Sequence, residues 1–143
     1  MKRTASAQWN GSGKEGQGYL SAQTGVLNNT QYSFSGRFAE GTGTNPEELI
    51  ASAHVGCFTM ALSVMLGAEG LTVESLNANE TLTMEQVDGN WTITAIHVDV
   101  KGKVQGADQA KFAEVANNAK AGCPVSRALN PSIKMTVNAT LEA

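Results

Sequence analysis

The sequence predicts an α+β fold: antiparallel β-sheets around central helices, in the order β-β-β-α-β-β-α-α-β. Three observations lead to it. From Leu49 to Leu66 the chain carries no formally charged residue, and Gly67 ends the run. Two β-rich arms within residues 71–104 flank Val87-Asp88-Gly89-Asn90, a hairpin turn. Near the end, Ile133, Met135, Val137, Ala139 and Leu141 alternate with polar residues, the two-residue period of a half-buried strand. Hairpins with interspersed helices favour an antiparallel sheet carrying its helices on one face.

The first 45 residues are rich in Gly, Ser, Thr, Gln and Asn, with apolar beats at Trp9, Tyr19, Leu20, Val26, Leu27, Tyr32, Phe34 and Phe38. Gly11-Ser12-Gly13 and Thr24-Gly25 punctuate them as turns. This predicts two or three short antiparallel strands, then an ordered loop from about Gly36 to Asn45. Asn45-Pro46-Glu47-Glu48 is a helix start: an Asn cap, Pro at the first helical position and acids in the first turn. The uncharged run behind it is long enough for a membrane span. Ser52, His54, Thr59, Ser63 and several alanines lower its hydrophobicity, and no basic flank anchors it. It therefore reads as a helix buried in a soluble core or at a subunit interface. In the second hairpin arm Ile96, Val98 and Val100 alternate with His97, Asp99 and Lys101. A second helix over Asp108 to Lys120 places Phe112, Val115, Ala116 and Ala119 on one face and stops at Gly122. A short third helix follows Cys123-Pro124 and halts before Asn130-Pro131.

The chain has 143 residues, with 10 Lys+Arg against 13 Asp+Glu and a net charge of −3. That length predicts one domain, 1–143, able to bury a core without staples. No basic stripe exists for nucleic acid or an anionic membrane. A charged share of 16%, against roughly 25% in an average domain, hints at a surface covered in an oligomer. Met1 to Trp9 lacks the apolar stretch of a signal peptide, so the expected compartment is the cytoplasm, where thiols are kept reduced. Gly11-Ser12-Gly13-Lys14 lacks the spacing of a phosphate-binding loop. The cysteines are Cys57 and Cys123, and the histidines His54 and His97. Two cysteines make neither a disulfide scaffold nor a structural zinc site, and no metal or other cofactor is expected.

What the cysteines do stays open at this level. Cys57, mid-helix among apolar neighbours, reads as a small buried hydrophobe or as a working thiol. Cys123 precedes Pro124 at a predicted helix N-cap, where unpaired N–H groups and the helix dipole favour a thiolate. A cysteine pair in a cytosolic chain is more often catalytic or redox-sensing than structural. Arg37 stands among small and aromatic neighbours and on composition alone reads as a surface residue. His54, three positions before Cys57, reads as a hydrogen-bonded core histidine or as a base for the thiol. His97 reads as solvated. Phe38, Phe58, Met60 and Met65 read mostly as core, or as a lining for an apolar substrate.

Two segments go beyond composition. Gly43-Thr44-Asn45-Pro46-Glu47-Glu48-Leu49 followed by Ala53-His54-Val55-Gly56-Cys57-Phe58-Thr59-Met60-Ala61-Leu62 resembles the OsmC/Ohr family of thiol-dependent hydroperoxide reductases, and Ala119-Lys120-Ala121-Gly122-Cys123-Pro124-Val125-Ser126 resembles its second signature. Ser33 to Phe38 and His54 look more like the OsmC branch than the Ohr branch. The resemblance implies an intertwined homodimer. It also implies Cys57 as the peroxidatic thiolate, Cys123 as the resolving thiol, Arg37 as the cation that activates Cys57, and Glu47 as the anchor of Arg37. The implied partners are an organic hydroperoxide, more weakly hydrogen peroxide, and a dithiol reductant of lipoyl type, in oxidative or osmotic stress defence. Glu47 and Cys57 lie ten positions apart on one helix, ~15 Å at 1.5 Å per residue. Antiparallel packing of two such helices would let each site borrow residues across the interface. A different class remains beside this one: a stress-induced binding or structural protein with packing cysteines. A cysteine hydrolase lacks a suitably oriented base.

Overall fold

The computed structural model describes residues 1–143. They form two compact units, Met1–Ile50 and Ala51–Ala143.

In the first unit, β1 (Ala5–Asn10), β2 (Gln17–Ala22) and β3 (Thr30–Ser33) form an antiparallel sheet in the order β1-β2-β3. Trp9 and Tyr32 pack against each other across it, ring centroids 5.4 Å apart and planes tilted by 55°. Gly18 makes this possible, since a Cβ there would lie 2.3 Å from the Tyr32 ring and 2.6 Å from Trp9. β1 is exposed along its whole length. The loop expected from Gly36 is in part helical: α1 (Phe34–Phe38) adds an element to the expected order. Ser33 explains it, because its hydroxyl accepts the Gly36 amide at 3.1 Å and caps the turn. Asn45 then caps α2 (Pro46–Ala68), accepting the Glu48 amide at 2.7 Å.

In the second unit, β4 (Thr72–Val87) and β5 (Asn90–Gln105) make the long hairpin. Asp88 and Gly89 both have positive φ at its tip, 51° and 79°, as the favoured two-residue hairpin turn requires. Ile96, Val98 and Val100 are each 1% exposed, so the alternation read from the sequence places the core face. Two helices follow, α3 (Gln109–Gly122) and α4 (Pro124–Ala128). Asp108 caps α3 through the Lys111 amide at 2.7 Å. Phe112, Val115, Ala116 and Ala119 are buried beneath α3, and Gly102 of β5 admits the Phe112 ring, which would lie 2.4 Å from a Cβ.

The last strand departs from the antiparallel expectation. β6 (Lys134–Leu141) pairs with β5 in parallel. The α3–α4 connection is the reason: a crossover of a dozen or more residues returns the chain to the end of the sheet from which β5 started.

α2 buries only a stripe, His54, Phe58, Leu62 and Leu66, one residue per turn. Met60 and Val64 are each 68% exposed. Of the two readings, core or subunit interface, burial in the core does not hold for this face of the single chain. By length and composition alone α2 is also long and apolar enough to cross a membrane.

Candidate active site

Cys123 is held by the two helices it joins. Its amide donates to Ala119 O at 2.9 Å, ending α3, and its carbonyl accepts the Arg127 amide at 3.0 Å, opening α4. Pro124 fits the first helical position because it has no N–H to satisfy. The side chain is fully buried. Cys57 projects from the middle of α2 and is half-buried rather than enclosed. The two sulfurs lie 2.7 Å apart, although 66 positions separate the residues. Both thiols are free.

The pair is electrostatically unequal. Burial pushes the Cys57 thiol above the ordinary range, and its hydrogen bond to Cys123 pushes the same way; the Val125 amide opposes them without prevailing. Burial also acts to raise Cys123, but hydrogen bonds from Cys57, from the amide and hydroxyl of Ser126 and from the Val125 amide outweigh it. Cys123 therefore lies below the ordinary thiol range. Of the two thiols, Cys123 therefore gives up its proton first, the ranking expected at a helix N-terminus.

Arg37 and Glu47 meet in the first unit. Arg37 Nε donates to Glu47 Oε1 at 2.7 Å, and the guanidinium carbon stands 5.1 Å from the centre of the Phe38 ring. Arg37 is 42% exposed and Glu47 13%. The other carboxylate oxygen, Glu47 Oε2, is buried without a hydrogen-bond partner. Thus the four residues singled out in the sequence form two pairs, Arg37 with Glu47 and Cys57 with Cys123.

His54 is buried, and both ring nitrogens are engaged. Nδ1 lies 2.7 Å from Glu80 Oε2 and Nε2 lies 2.6 Å from Ser126 Oγ. Glu80 and Ser126 were not singled out by sequence reasoning. A signal for Glu80 exists. It shares the inward period of β4 with Leu76, Ala78 and Leu82, all half-buried, and an acid on an apolar face needs a buried partner. His97 is half-exposed and hydrogen-bonded to Thr136 at 2.5 Å rather than fully solvated.

Of the apolar candidates, Phe58 belongs to the core and Met65 packs against it. Met60 lines an open groove of about 880 Å³ between Val55–Ser63 of α2 and Val73–Asn79 of β4.

Comparison with known proteins agrees over nearly the whole chain. A family profile described as OsmC-like protein matches residues 39–138. Peroxiredoxin OsmC of Escherichia coli K12 is 42% identical over 135 residues, covering 94% of each chain, and Peroxiredoxin OsmC of Shigella flexneri matches to the same extent. The fold is that of OhrB, an organic hydroperoxide resistance protein of Bacillus subtilis (TM-score 0.70, 24% identity, 97% of this chain and 98% of that one). It is also that of an OsmC-like protein of Mycoplasma pneumoniae (TM-score 0.77, 17% identity, 100% and 99%). On the profile match and the identity to these relatives, the chain belongs to the OsmC family.

Proposed function

We propose that the protein is a thiol-dependent peroxidase that reduces organic hydroperoxides, and hydrogen peroxide more weakly, through Cys57 and Cys123. The observation that carries this reading is the approach of the two sulfurs to 2.7 Å. The curated relatives named peroxiredoxin support it. Cys57 attacks the terminal peroxide oxygen as the thiolate, its proton leaving for the departing alkoxide. The O–O bond breaks, the alcohol leaves after taking up a proton, and Cys57 becomes a sulfenic acid. Cys123 then attacks that sulfur, water leaves and a disulfide forms. An external dithiol, of lipoyl type by family resemblance, restores both thiols. No metal or organic cofactor takes part in this scheme. The half-exposure of Cys57 supports it as the sulfur that meets substrate.

Arg37 serves as the cation that stabilises the Cys57 thiolate as it attacks the peroxide, with Glu47 as its anchor. Ten helical residues, ~15 Å, separate Glu47 from the Cys57 of its own chain. Either Arg37 spans that gap or the pair acts on Cys57 of a second copy, and we place it on a second copy in a homodimer. The exposed Met60 and Val64, the groove beside them and the uncovered β1 support such a partner. We place the enzyme in the cytoplasm, in oxidative and osmotic stress defence, with residues 1–143 as one functional domain. A non-catalytic role with packing cysteines fits poorly, because the two sulfurs approach each other to 2.7 Å and a buried polar chain, Glu80–His54–Ser126, ends three positions from Cys123. The test is peroxide loss with cumene hydroperoxide and a dithiol: Cys57→Ser is inactive, and Cys123→Ser completes one turnover only. Full activity in Cys57→Ser overturns the reading.

A further inference from the structure

We propose that Glu80, His54 and Ser126 form a buried proton relay that deprotonates Cys123 for disulfide closure, with His54 as the base, Ser126 as the carrier and Glu80 as the residue that orients the imidazole. This rests on Cys57 and Cys123 being the working redox pair.

The geometry is a single chain of contacts ending on Cys123. Glu80 Oε2 lies 2.7 Å from His54 Nδ1, and His54 Nε2 lies 2.6 Å from Ser126 Oγ. Ser126 stands three positions after Cys123, a helical spacing that makes the two side chains neighbours, and its hydroxyl is placed to favour the Cys123 thiolate. His54 is 0% exposed and Glu80 1%, so water does not compete for these positions. Glu80 occupies one oxygen with the imidazole and leaves Oε1 buried without a partner, a costly placement for an acid that served packing alone. The titratable groups facing Cys123 are Cys57 from α2 and, through Ser126, His54 of α2 and Glu80 of β4.

Proton and electron flow balance. With His54 neutral, Nδ1–H donates to Glu80 and Nε2 accepts from the Ser126 hydroxyl. The Cys123 S–H bond breaks as its proton moves to Ser126 Oγ, and the hydroxyl proton moves to His54 Nε2. The imidazolium that forms is stabilised by Glu80. The Cys123 thiolate pair attacks the Cys57 sulfur and the S–O bond breaks. Hydroxide leaves and takes the relay's proton to become water. Cys123 sulfur is oxidised and Cys57 sulfur reduced to the disulfide level. Glu80 and His54 are positioning and proton-transfer groups that do not touch the peroxide.

The experiment follows disulfide closure after one addition of cumene hydroperoxide, as a function of pH, in wild type, Ser126→Ala, Glu80→Gln and His54→Gln. Ser126→Ala removes only a half-buried hydroxyl, so it carries the test if His54→Gln fails to fold. Closure in Ser126→Ala is expected to slow by roughly 10²-fold near neutral pH and to recover the wild-type rate at pH above the ordinary thiol range, where solvent removes the proton. Closure that overlays wild type at every pH overturns the relay. So does closure that is slow at every pH, which marks a packing role. Closure in wild type separates this from the redox reading. If wild type forms no disulfide with peroxide, the redox reading fails. With wild-type closure intact, the relay alone fails if Ser126→Ala closes the disulfide as wild type does, or slowly at every pH.

Discussion

Cys57 and Cys123 approach to 2.7 Å between sulfurs, one from the middle of α2 and the other from the joint between α3 and α4. Burial and a shared hydrogen bond hold Cys57 in the thiol form, while hydrogen bonds from Cys57, Ser126 and Val125 overcome burial and favour the thiolate at Cys123. A pH prediction follows from the signs. A depressed pKa keeps Cys123 charged as pH falls, down to a value below the ordinary thiol range. A raised pKa keeps Cys57 protonated above that range. Thiolate absorbance of the reduced protein should rise in two separated steps, the first below the ordinary range. In Cys123→Ser only a late step should remain. A single step at the ordinary thiol pKa contradicts the assignment.

Arg37 and Glu47 should affect rate more than stability. An ion pair with Arg37 42% exposed contributes about 0–1 kcal/mol, so Glu47→Gln should shift the denaturation midpoint little. Loss of the anchored cation should slow sulfenic acid formation by about tenfold, roughly 1.4 kcal/mol on the barrier. Stopped-flow measurement of the first half-reaction checks this. An unchanged rate in Glu47→Gln removes Glu47 from the mechanism.

The exposed apolar face of α2 predicts a self-association defect. Met60→Glu or Val64→Glu places a charge where each side chain is 68% exposed in the single chain. If a second copy covers that face, each variant should become monomeric by light scattering and lose peroxidase activity together. A variant that keeps the wild-type mass and rate shows that the face is free.

Gly102→Ala tests the core beneath α3. A Cβ there would sit 2.4 Å from Phe112 Cζ and 2.6 Å from Cε2. The ring is fully buried and Gly102 is paired on both sides, with Leu76 and Leu141, so neither moves away freely. Overpacking of this kind costs about 1–3 kcal/mol. Urea denaturation should show the loss, with an unchanged slope.

Most of the fold was legible because its elements carry local signals. Asn45-Pro46 states a helix start, Asp88-Gly89 a hairpin turn, and β5 and β6 their two-residue period. What lacked such a signal was missed. The turn of helix after Ser33 depends on one side-chain cap among polar residues. The parallel pairing of β6 depends on where a crossover lands, which alternation does not encode. At the candidate site, the motifs singled out Cys57, Cys123, Arg37 and Glu47. Glu80 escaped because an acid is ordinarily read as solvent-facing even on the inward period of Leu76, Ala78 and Leu82, and its partner His54 lies 26 positions away. Ser126 escaped because a serine after a helix start is ordinary until an imidazole is found against it.

The most direct test is intact-mass analysis of the reduced protein before and after one equivalent of cumene hydroperoxide, with peptide mapping. The redox-pair mechanism predicts the loss of two hydrogens and a linked peptide joining Cys57 to Cys123. A protein that consumes no peroxide and keeps both thiols, or that is oxidised with no Cys57–Cys123 link, would contradict it.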